Sequence, residues 1–274
     1  MIDAKTWVYG IIGHPVSHSL SPIIQNLAFC YHKINAVYLA FDVTDLASAL
    51  AGIRGLGIKG ISVTIPHKMA IIPFLDKLDE LAENVSAVNT VVNKDGLLIG
   101  YNTDCLGAML ALKEKADISR KDYVILGAGG AARAIGFALK KEGANITIIN
   151  RTYEKGEVLA NALGAKCLHW NKIKEVATYG LINTTPIGMW PKVEETPISK
   201  QYLRNFKVVM DVVYHPLETR LLHEAEELGL ITVDGLSMLI YQGVAQFKLW
   251  TGKDAPKEEM FRLAKQTLES TLNR

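Results

Sequence analysis

Short apolar runs alternate with segments of helical periodicity in the first third of the chain. The apolar runs predict strands at Trp7–Ile12, Val37–Phe41, Gly60–Ile65 and Ala87–Asn93. Apolar positions at helical spacing predict helices near Pro22–Tyr31, Asp45–Leu56 and His67–Leu75. Strands that alternate with helices predict an α/β sheet.

A second series of strands follows a predicted helix that runs from Asn102-Thr103-Asp104 to Lys115. Its apolar runs are Tyr123–Leu126, Asn145–Asn150, Leu181–Asn183, Val208–Val212 and Ile231–Val233. The tail predicts two helices, Ser237–Trp250 and another from Pro256. We therefore expect an α/β domain over residues 1–104, joined by the C-terminal helices 238–274 that fold back onto it, and a second α/β domain over residues 105–237.

Composition narrows the class of protein. The 274 residues suit two domains, and the net charge of +2 does not favour nucleic acid or a membrane surface as a partner. No apolar run reaches the roughly 18 residues of a membrane span, and a strand is predicted too early for a signal peptide. The three cysteines have no framework spacing, so we expect small core residues in a reducing, cytoplasmic compartment.

A glycine-rich turn follows the strand Tyr123–Leu126. The segment Gly127-Ala128-Gly129-Gly130-Ala131-Ala132 then leads into a helical pattern, which is the strand, turn and helix order of a Rossmann dinucleotide fingerprint. Gly127 allows the tight turn, Gly129 lets the backbone approach a pyrophosphate, and Ala132 permits close packing of helix on strand. The pyrophosphate would bind the N–H groups at the helix N-terminus. The alternative is a glycine turn of an ordinary βαβ unit.

The end of the next strand favours NADP over NAD. NAD enzymes usually have Asp or Glu about 20 residues past the glycines, for the ribose 2′-hydroxyl. This chain has Asn150 there, followed by Arg151 and Thr152, with Lys155 within reach. Amide, hydroxyl and cationic side chains bind a 2′-phosphate, which a carboxylate would repel. The alternative is that Arg151 and Lys155 are solvated surface charges.

Two further segments carry candidate catalytic residues. Lys68 follows the strand that ends in Ser62-Val63-Thr64 and lies in the first turn of a predicted helix, at the unfavourable end of the helix dipole. A lysine in a cleft can pass a proton to an alkoxide. Asp104 begins another helix and could orient the lysine and bind a substrate hydroxyl. Taken singly, a surface lysine and an N-cap aspartate are the simpler interpretations.

The loop Gly13–Pro22 is crowded with small hydroxyls. Ser21, before Pro22, is predicted to cap a helix. Capping does not explain Ser17, His18 and Ser19, and a cluster of donors beside a helix N-terminus is where an anion would bind.

Together these segments resemble the shikimate dehydrogenase family over almost the whole chain. The resemblance is carried, in this order, by GHPVSHSLSP, SVTIPHK, AVNT, GYNTD, GAGGAAR, NRT, NTTPIGM and DGLSMLIYQG. It implies an N-terminal substrate domain, a Rossmann domain and C-terminal helices that return to the first domain. It also implies NADPH-dependent reduction of 3-dehydroshikimate to shikimate, in aromatic amino acid biosynthesis.

The resemblance assigns roles to individual residues. Lys68 and Asp104 would be the catalytic pair, and Ser19 and Ser21 would hold the substrate carboxylate. Further substrate contacts would come from Thr64, Asn89, Asp104, Tyr214 and Gln242. The cofactor would contact Gly127, Ala128, Gly129, Gly130, Ala131, Asn150, Arg151, Thr152, Lys155, Val212, Gly235 and Met238. No metal is expected, and a homodimer is one candidate for the oligomeric state, which the sequence does not fix.

One position departs from the family. Asparagine is usual two residues before the threonine of the second motif, and this chain has Ser62. The shorter serine predicts a gap filled by water or a changed preference among ring substrates. Two alternative functions remain, a quinate/shikimate dehydrogenase that uses NAD and an NADP-binding sensor without chemistry.

Overall fold

The computed structural model describes residues 2–271 and divides them into two compact units. The first comprises residues 2–104 and Gln242–Ala264, and the second comprises Cys105–Tyr241 and residues 265–271. Among the described residues, no helix is both long and apolar enough to cross a membrane.

The first unit is built on a mixed sheet, which has six strands within residues 2–271, in the order β2-β1-β3-β5-β6-β4. Strand β1 pairs in parallel with β2 and β3, whereas β5 runs antiparallel to both β3 and β6. The strands are β1 (Trp7–Gly13), β2 (Ala36–Asp42), β3 (Gly60–Val63), β4 (Lys77–Leu78), β5 (Thr90–Lys94) and β6 (Leu97–Tyr101). The helices between them are α1 (Ser21–Tyr31), α2 (Leu46–Gly55), α3 (His67–Ala70) and α4 (Glu80–Val85).

Local chemistry explains where these elements begin and end. Asp45 caps α2 by accepting hydrogen bonds from the N–H groups of Ala47 and Ser48. The predicted helix His67–Leu75 is split into α3 and a 3₁₀ turn, Ile72–Phe74, because Pro73 has no N–H to continue an α-helix. Behind β1 and β3, one core cluster buries apolar side chains that include Ile12, Ile61 and Val91.

Two predicted strands of the first unit are shorter than the sequence indicated. Strand β3 ends at Val63 rather than Ile65, because the N–H of His67 donates to the Thr64 carbonyl and closes a turn. Strand β5 begins at Thr90 rather than Ala87, and the N–H of Val88 donates to the Lys68 carbonyl instead of joining the sheet.

The second unit has the strand order of a Rossmann fold. Its sheet, counted over the described part of the chain, has six parallel strands in the order β12-β11-β10-β7-β8-β9, which reverses at β7 and β10. The strands are β7 (Asp122–Leu126), β8 (Asn145–Asn150), β9 (Lys166–His169), β10 (Gly180–Asn183), β11 (Val208–Asp211) and β12 (Ile231–Val233). Buried side chains of β7, β10 and β11 form its core, among them Val124, Leu181 and Val209.

The remaining helices complete the chain. They are α5 (Asp104–Lys113), α6 (Gly130–Lys141), α7 (Tyr153–Leu163), α8 (Lys200–Leu203), α9 (Arg220–Glu226), α10 (Gly235–Thr251) and α11 (Lys257–Thr271), with a 3₁₀ segment at Trp170–Glu175. The division between the units falls within α10, after Tyr241. The fold class predicted from the sequence is therefore confirmed.

The cysteines do not all lie in the core as predicted. Cys105 is buried, but Cys167 is half-buried and Cys30 is exposed, and none of these three described cysteines is in a disulfide. Cys30 follows Ala28 and Phe29, which face the core from α1, and the next residue of a helix turns about 100° away from that face.

Candidate active site

Lys68 and Asp104 form a buried ion pair in the first unit. The Lys68 Nζ donates a hydrogen bond to Asp104 Oδ2 at 2.6 Å, and the two side chains are 17% and 5% exposed. Helix α3, which carries Lys68, has only four residues, so its dipole is too small to set the lysine's environment as the sequence suggested. The position of Lys68 comes instead from Asp104 and from the buried His67, whose Nε2 lies 2.7 Å from the Val43 carbonyl.

Asn89 holds the other oxygen of the carboxylate. Its Oδ1 accepts the backbone N–H of Thr103 at 2.8 Å, and this bond fixes the orientation of the amide because a backbone N–H can only donate. The Asn89 Nδ2 therefore faces Asp104 Oδ1, at 2.8 Å, and also lies near Thr103 Oγ1 and Gln242 Oε1. Both carboxylate oxygens of Asp104 thus accept hydrogen bonds from fixed donors.

This arrangement suits proton transfer to a bound ligand. Two hydrogen bonds offset the free-energy cost of removing the Asp104 carboxylate from water, and the carboxylate balances the positive charge of the lysine. Because Lys68 keeps part of its surface exposed, its ammonium can reach a ligand or water without leaving Asp104. A lysine held in this way can give a proton to a developing alkoxide or take one from a hydroxyl.

The serine loop lies at the start of α1, although its capping differs from the prediction. The helix begins at Ser21 itself, so Ser21 is not the N-cap; Leu20 occupies that position and makes no side-chain cap. The N–H of Ser21 donates to the Ser19 Oγ at 3.2 Å, which joins the two predicted serines. The Ser19 hydroxyl thus accepts the first N–H of α1, and Ser21 is buried at 4% exposure.

Thr64 lies against the strand that leads into the serine loop. A Cβ on Gly13 would come within 2.4 Å of the Thr64 Cγ2, so only glycine fits opposite this threonine. Of the predicted catalytic and substrate-binding residues, the structure joins Lys68, Asn89, Asp104 and Gln242 by hydrogen bonds. It also joins Ser19 to Ser21. Tyr214 follows β11 and belongs to the second unit.

Ser62 leaves no gap of the kind expected from the sequence. It is buried at 4% exposure; its hydroxyl accepts from Tyr38 at 2.6 Å and donates to Gln246 at 2.8 Å. Gln246 and Thr103 were not identified from the sequence as site residues. Gln246 follows Gln242 by one helical turn, and that spacing is the signal that could have found it.

The glycine turn of the second unit fits a dinucleotide. Gly127 has a φ of 112°, and a Cβ there would lie 2.5 Å from the Thr184 hydroxyl. At Gly129 a Cβ would meet nothing within 4 Å, so the space above the turn is open to a phosphate. Helix α6 begins at Gly130 with free N–H groups in its first turn, and Ala132 is fully buried against the sheet.

The end of β8 presents the groups predicted to bind a 2′-phosphate. The Asn150 Nδ2 donates to the Thr152 carbonyl at 2.7 Å, which shapes the loop before α7. Arg151, Thr152 and Lys155 are exposed there. Tyr153, which was not a candidate from the sequence, stacks on His169 of β9, with ring centroids 4.1 Å apart.

The predicted nicotinamide residues lie around the end of β11. The Val212 N–H donates to the Asn183 carbonyl at 3.0 Å. A Cβ on Gly235 would lie 2.5 Å from the carbonyl oxygens of Val212 and Val213, so this approach requires glycine. Met238 is buried.

Asp211 is the most strongly perturbed carboxyl of this region. Burial raises its pKa to about 7, against opposing hydrogen bonds from the Val213 N–H, Thr219 and Asn183. The Asp211 side chain lies at the C-terminal end of β11, and it was not a candidate site residue from the sequence.

Comparison with known proteins gives one family throughout. Residues 11–91 match the shikimate dehydrogenase substrate binding domain, residues 109–185 match shikimate / quinate 5-dehydrogenase, and residues 235–262 match the shikimate 5′-dehydrogenase C-terminal domain. The shikimate dehydrogenase (NADP⁺) of Moorella thermoacetica is 46% identical over 97% of this chain and 95% of the relative.

Two solved structures superpose on this chain over nearly its whole length. A shikimate dehydrogenase in complex with NADP⁺ superposes with a TM-score of 0.92 at 45% identity, covering 98% of each chain. The enzyme from Thermus thermophilus, solved with NADP(H) and shikimate, gives a TM-score of 0.89 at 34% identity, covering 96% of this chain and 100% of that one.

Proposed function

This chain belongs to the shikimate dehydrogenase family, and we propose that it catalyses the reversible NADPH-dependent reduction of 3-dehydroshikimate to shikimate in aromatic amino acid biosynthesis. The observation that carries the proposal is the buried Lys68–Asp104 pair, at 2.6 Å, whose lysine lies within the matched substrate-binding segment. An open glycine turn at the end of β7 complements it in the second unit. The small-molecule substrate is consistent with the low net charge.

The substrate would be held through its carboxylate and ring hydroxyls. We propose that the Ser19 and Ser21 hydroxyls donate to the carboxylate and that Thr64, Gln242 and Tyr214 bond the ring hydroxyls. Asn89 has both ends of its amide engaged with Thr103 and Asp104, so its main contribution would be to hold the carboxylate of Asp104 towards the ring.

Lys68 would move the proton of the reaction. NADPH, when bound, supplies the hydride that converts the C3 carbonyl carbon into a C–H. The Lys68 ammonium gives its proton to the C3 oxygen, and in the reverse direction the neutral amine takes that proton back. Asp104 accepts a hydrogen bond from the reacting hydroxyl and keeps the lysine in reach. Since Lys68 is partly exposed, it can recover its proton from water.

The cofactor would be NADP rather than NAD. The residues proposed to hold it are Gly127, Ala128, Gly129, Gly130 and Ala131 at the pyrophosphate, and Asn150, Arg151, Thr152 and Lys155 at the 2′-phosphate. Val212, Gly235 and Met238 would contact the nicotinamide end. The space above Gly129 and the exposed cations after β8 fit such a ligand.

An absorbance assay of nicotinamide reduction tests the function. The purified chain is offered shikimate and quinate, each with NADP and with NAD. We expect rapid reduction with shikimate and NADP. Faster turnover with NAD or with quinate would favour the quinate/shikimate alternative, and NADP binding without turnover in any pairing would favour a sensor. A cytoplasmic location and a homodimeric state remain predictions, the latter open to sedimentation.

A further inference from the structure

A buried polar side chain from α10 crosses between two strands behind the candidate active site. Ser62 of β3 and Thr90 of β5 are direct cross-strand partners. The side chain of Gln246, only 1% exposed, spans the two: its Oε1 accepts from Ser62 at 2.8 Å and its Nε2 donates to Thr90 Oγ1 at 3.0 Å. The same Nε2 donates to the Asn89 carbonyl at 3.1 Å.

The direction of every hydrogen bond in this network is fixed. The Asn89 carbonyl can only accept, so the Gln246 amide must present its Nε2 there and its Oε1 to Ser62. Ser62 must then donate to Gln246, which leaves its lone pairs for the Tyr38 hydroxyl. Thr90, which accepts from Gln246, donates in turn to Asn89 Oδ1 at 2.8 Å.

The network ends on the catalytic carboxylate. Asn89 accepts at Oδ1 and donates from Nδ2 to Asp104 Oδ1. Its backbone carbonyl takes two donors, Gln246 and the Val63 N–H at 2.8 Å. Both the side chain and the backbone of Asn89 are thereby held by groups that lead back to Gln246. Hydrogen bonds aligned in one direction polarise and strengthen one another in a buried setting.

We infer that Gln246 is a positioning residue, which fixes the Asn89 amide against Asp104 and so sets the geometry of the Lys68–Asp104 pair. The inference rests on the proposed function for its effect on catalysis. Ser62 would act through Gln246 by orienting its amide. Ser62 and Gln246 therefore act together to position Asn89, and the serine does not leave the site incomplete.

Kinetics of Gln246→Met tests the inference, because methionine keeps the volume and removes both polar ends. We expect kcat for shikimate oxidation to fall about 10- to 100-fold, since a displacement of about 1 Å at reacting groups can cost about 100-fold. The KM for NADP should stay unchanged. The matched control is Asn93→Leu on β5, the strand that carries Thr90. Asn93 is buried; its Nδ2 donates to the Ile58 carbonyl at 2.9 Å and its Oδ1 accepts the Gly96 N–H at 2.8 Å.

Ser62 provides a second variant should Gln246→Met fold poorly. Ser62→Ala should lower kcat by several-fold, and Ser62→Thr, which keeps the hydroxyl, should restore it. In the Gln246→Met background Ser62→Ala should have no further effect on kcat, because the two residues act in one network.

A substrate-independent measurement separates this inference from the proposed function. In the unaltered chain the Asn89 side-chain amide protons, followed by ¹⁵N NMR, should exchange slowly with solvent. Exchange should quicken in Gln246→Met and not in Asn93→Leu. Loss of this effect, an equal fall of kcat in the Asn93→Leu control, or a kcat within about twofold of the unaltered chain would overturn the inference. Failure of the proposed function would appear differently, as no NADP reduction by the unaltered chain.

Discussion

The substitution Asp104→Asn tests the candidate catalytic pair without changing its shape. Asp104 accepts a hydrogen bond on each oxygen, from Lys68 at 2.6 Å and from Asn89 at 2.8 Å. Asparagine has one acceptor and one donor. Whichever way its amide turns, its NH₂ group faces another donor, either the ammonium of Lys68 or the Asn89 Nδ2. One of the two bonds is therefore always lost, and the lysine loses its counter-charge.

The size of the effect follows from burial. Removing one partner of a buried ion pair costs about 3–5 kcal/mol, and a charge-assisted hydrogen bond is worth about 1.5–3 kcal/mol. Because the Lys68 side chain is 17% exposed, water can solvate part of the unpaired charge. We therefore expect the free energy of unfolding to fall by about 3 kcal/mol, the value at which those two ranges meet. Without a group to orient the proton donor, kcat should fall about 10²- to 10⁴-fold.

A second ion pair with the same nitrogen–oxygen distance serves as the control for Asp104→Asn. Lys248 Nζ and Asp254 Oδ1 also lie 2.6 Å apart in the first unit, but their side chains are 61% and 84% exposed. Asp254→Asn should change neither the urea unfolding curve nor kcat, because solvent screens this pair. The reasoning about Asp104 fails if a folded Asp104→Asn keeps kcat within about threefold of the unaltered chain, or if its stability loss equals that of the control.

Three further predictions concern the second unit. Arg151→Ala should raise the KM for NADP about 10-fold or more and leave that for NAD unchanged, because a lost charge-assisted bond to the 2′-phosphate is worth at least about 1.4 kcal/mol. Gly127→Ala should abolish NADP binding in calorimetry, since its φ of 112° and the Thr184 hydroxyl exclude a Cβ. Burial raises the pKa of Asp211 from 3.8 to about 7. The protonated carboxyl therefore contributes folding stability that is fully present below about pH 4 and is lost as the pH rises through about 7. Asp211→Asn should remove that loss, so its stability relative to the unaltered chain rises between about pH 4 and pH 7 in urea unfolding and is level above that range.

Each of these has a clear contrary result. Equal rises in KM for NADP and NAD with Arg151→Ala would mean that the arginine does not read the 2′-phosphate. Normal NADP binding by Gly127→Ala would refute the close approach at the turn. A pH-independent stability difference for Asp211→Asn would mean that the carboxyl is ionised in the folded state at all pH values tested.

Strong periodic segments and motifs were predictable from the sequence, whereas several short elements were not. Helix α4 was missed although Asp79 caps it by accepting from the Ala82 N–H, because its six residues give too little periodicity. The two-residue strand β4 was missed because it exists only through its pairing with β6. Local chemistry also overrode the apolar pattern at Pro73, where one predicted helix became two segments.

The residues of the candidate site also divide into those that the sequence could reveal and those that it could not. Lys68, Asn89 and Asp104 could be found because each belongs to a motif with a chemical purpose. The spacing of one helical turn after Gln242 could have pointed to Gln246, but its contacts depend on Ser62 and Thr90 being cross-strand partners, which is a matter of sheet register. The bond from Tyr38 to Ser62 likewise depends on how the strands are arranged in the sheet. The expectation of a water-filled gap at Ser62 was wrong for this reason: the space is filled from a helix more than 180 residues further along the chain. The changed preference among ring substrates stays a prediction.

Isotope transfer tests the central claim most directly. The purified chain is incubated with 3-dehydroshikimate and NADPH that carries deuterium in the transferable position, and the product is examined by mass spectrometry and proton NMR. The account predicts shikimate that is heavier by one deuterium, located at C3, with the oxygen-bound proton drawn from water. Unlabelled shikimate, label at another carbon, or no product from a folded chain that binds NADPH would contradict it.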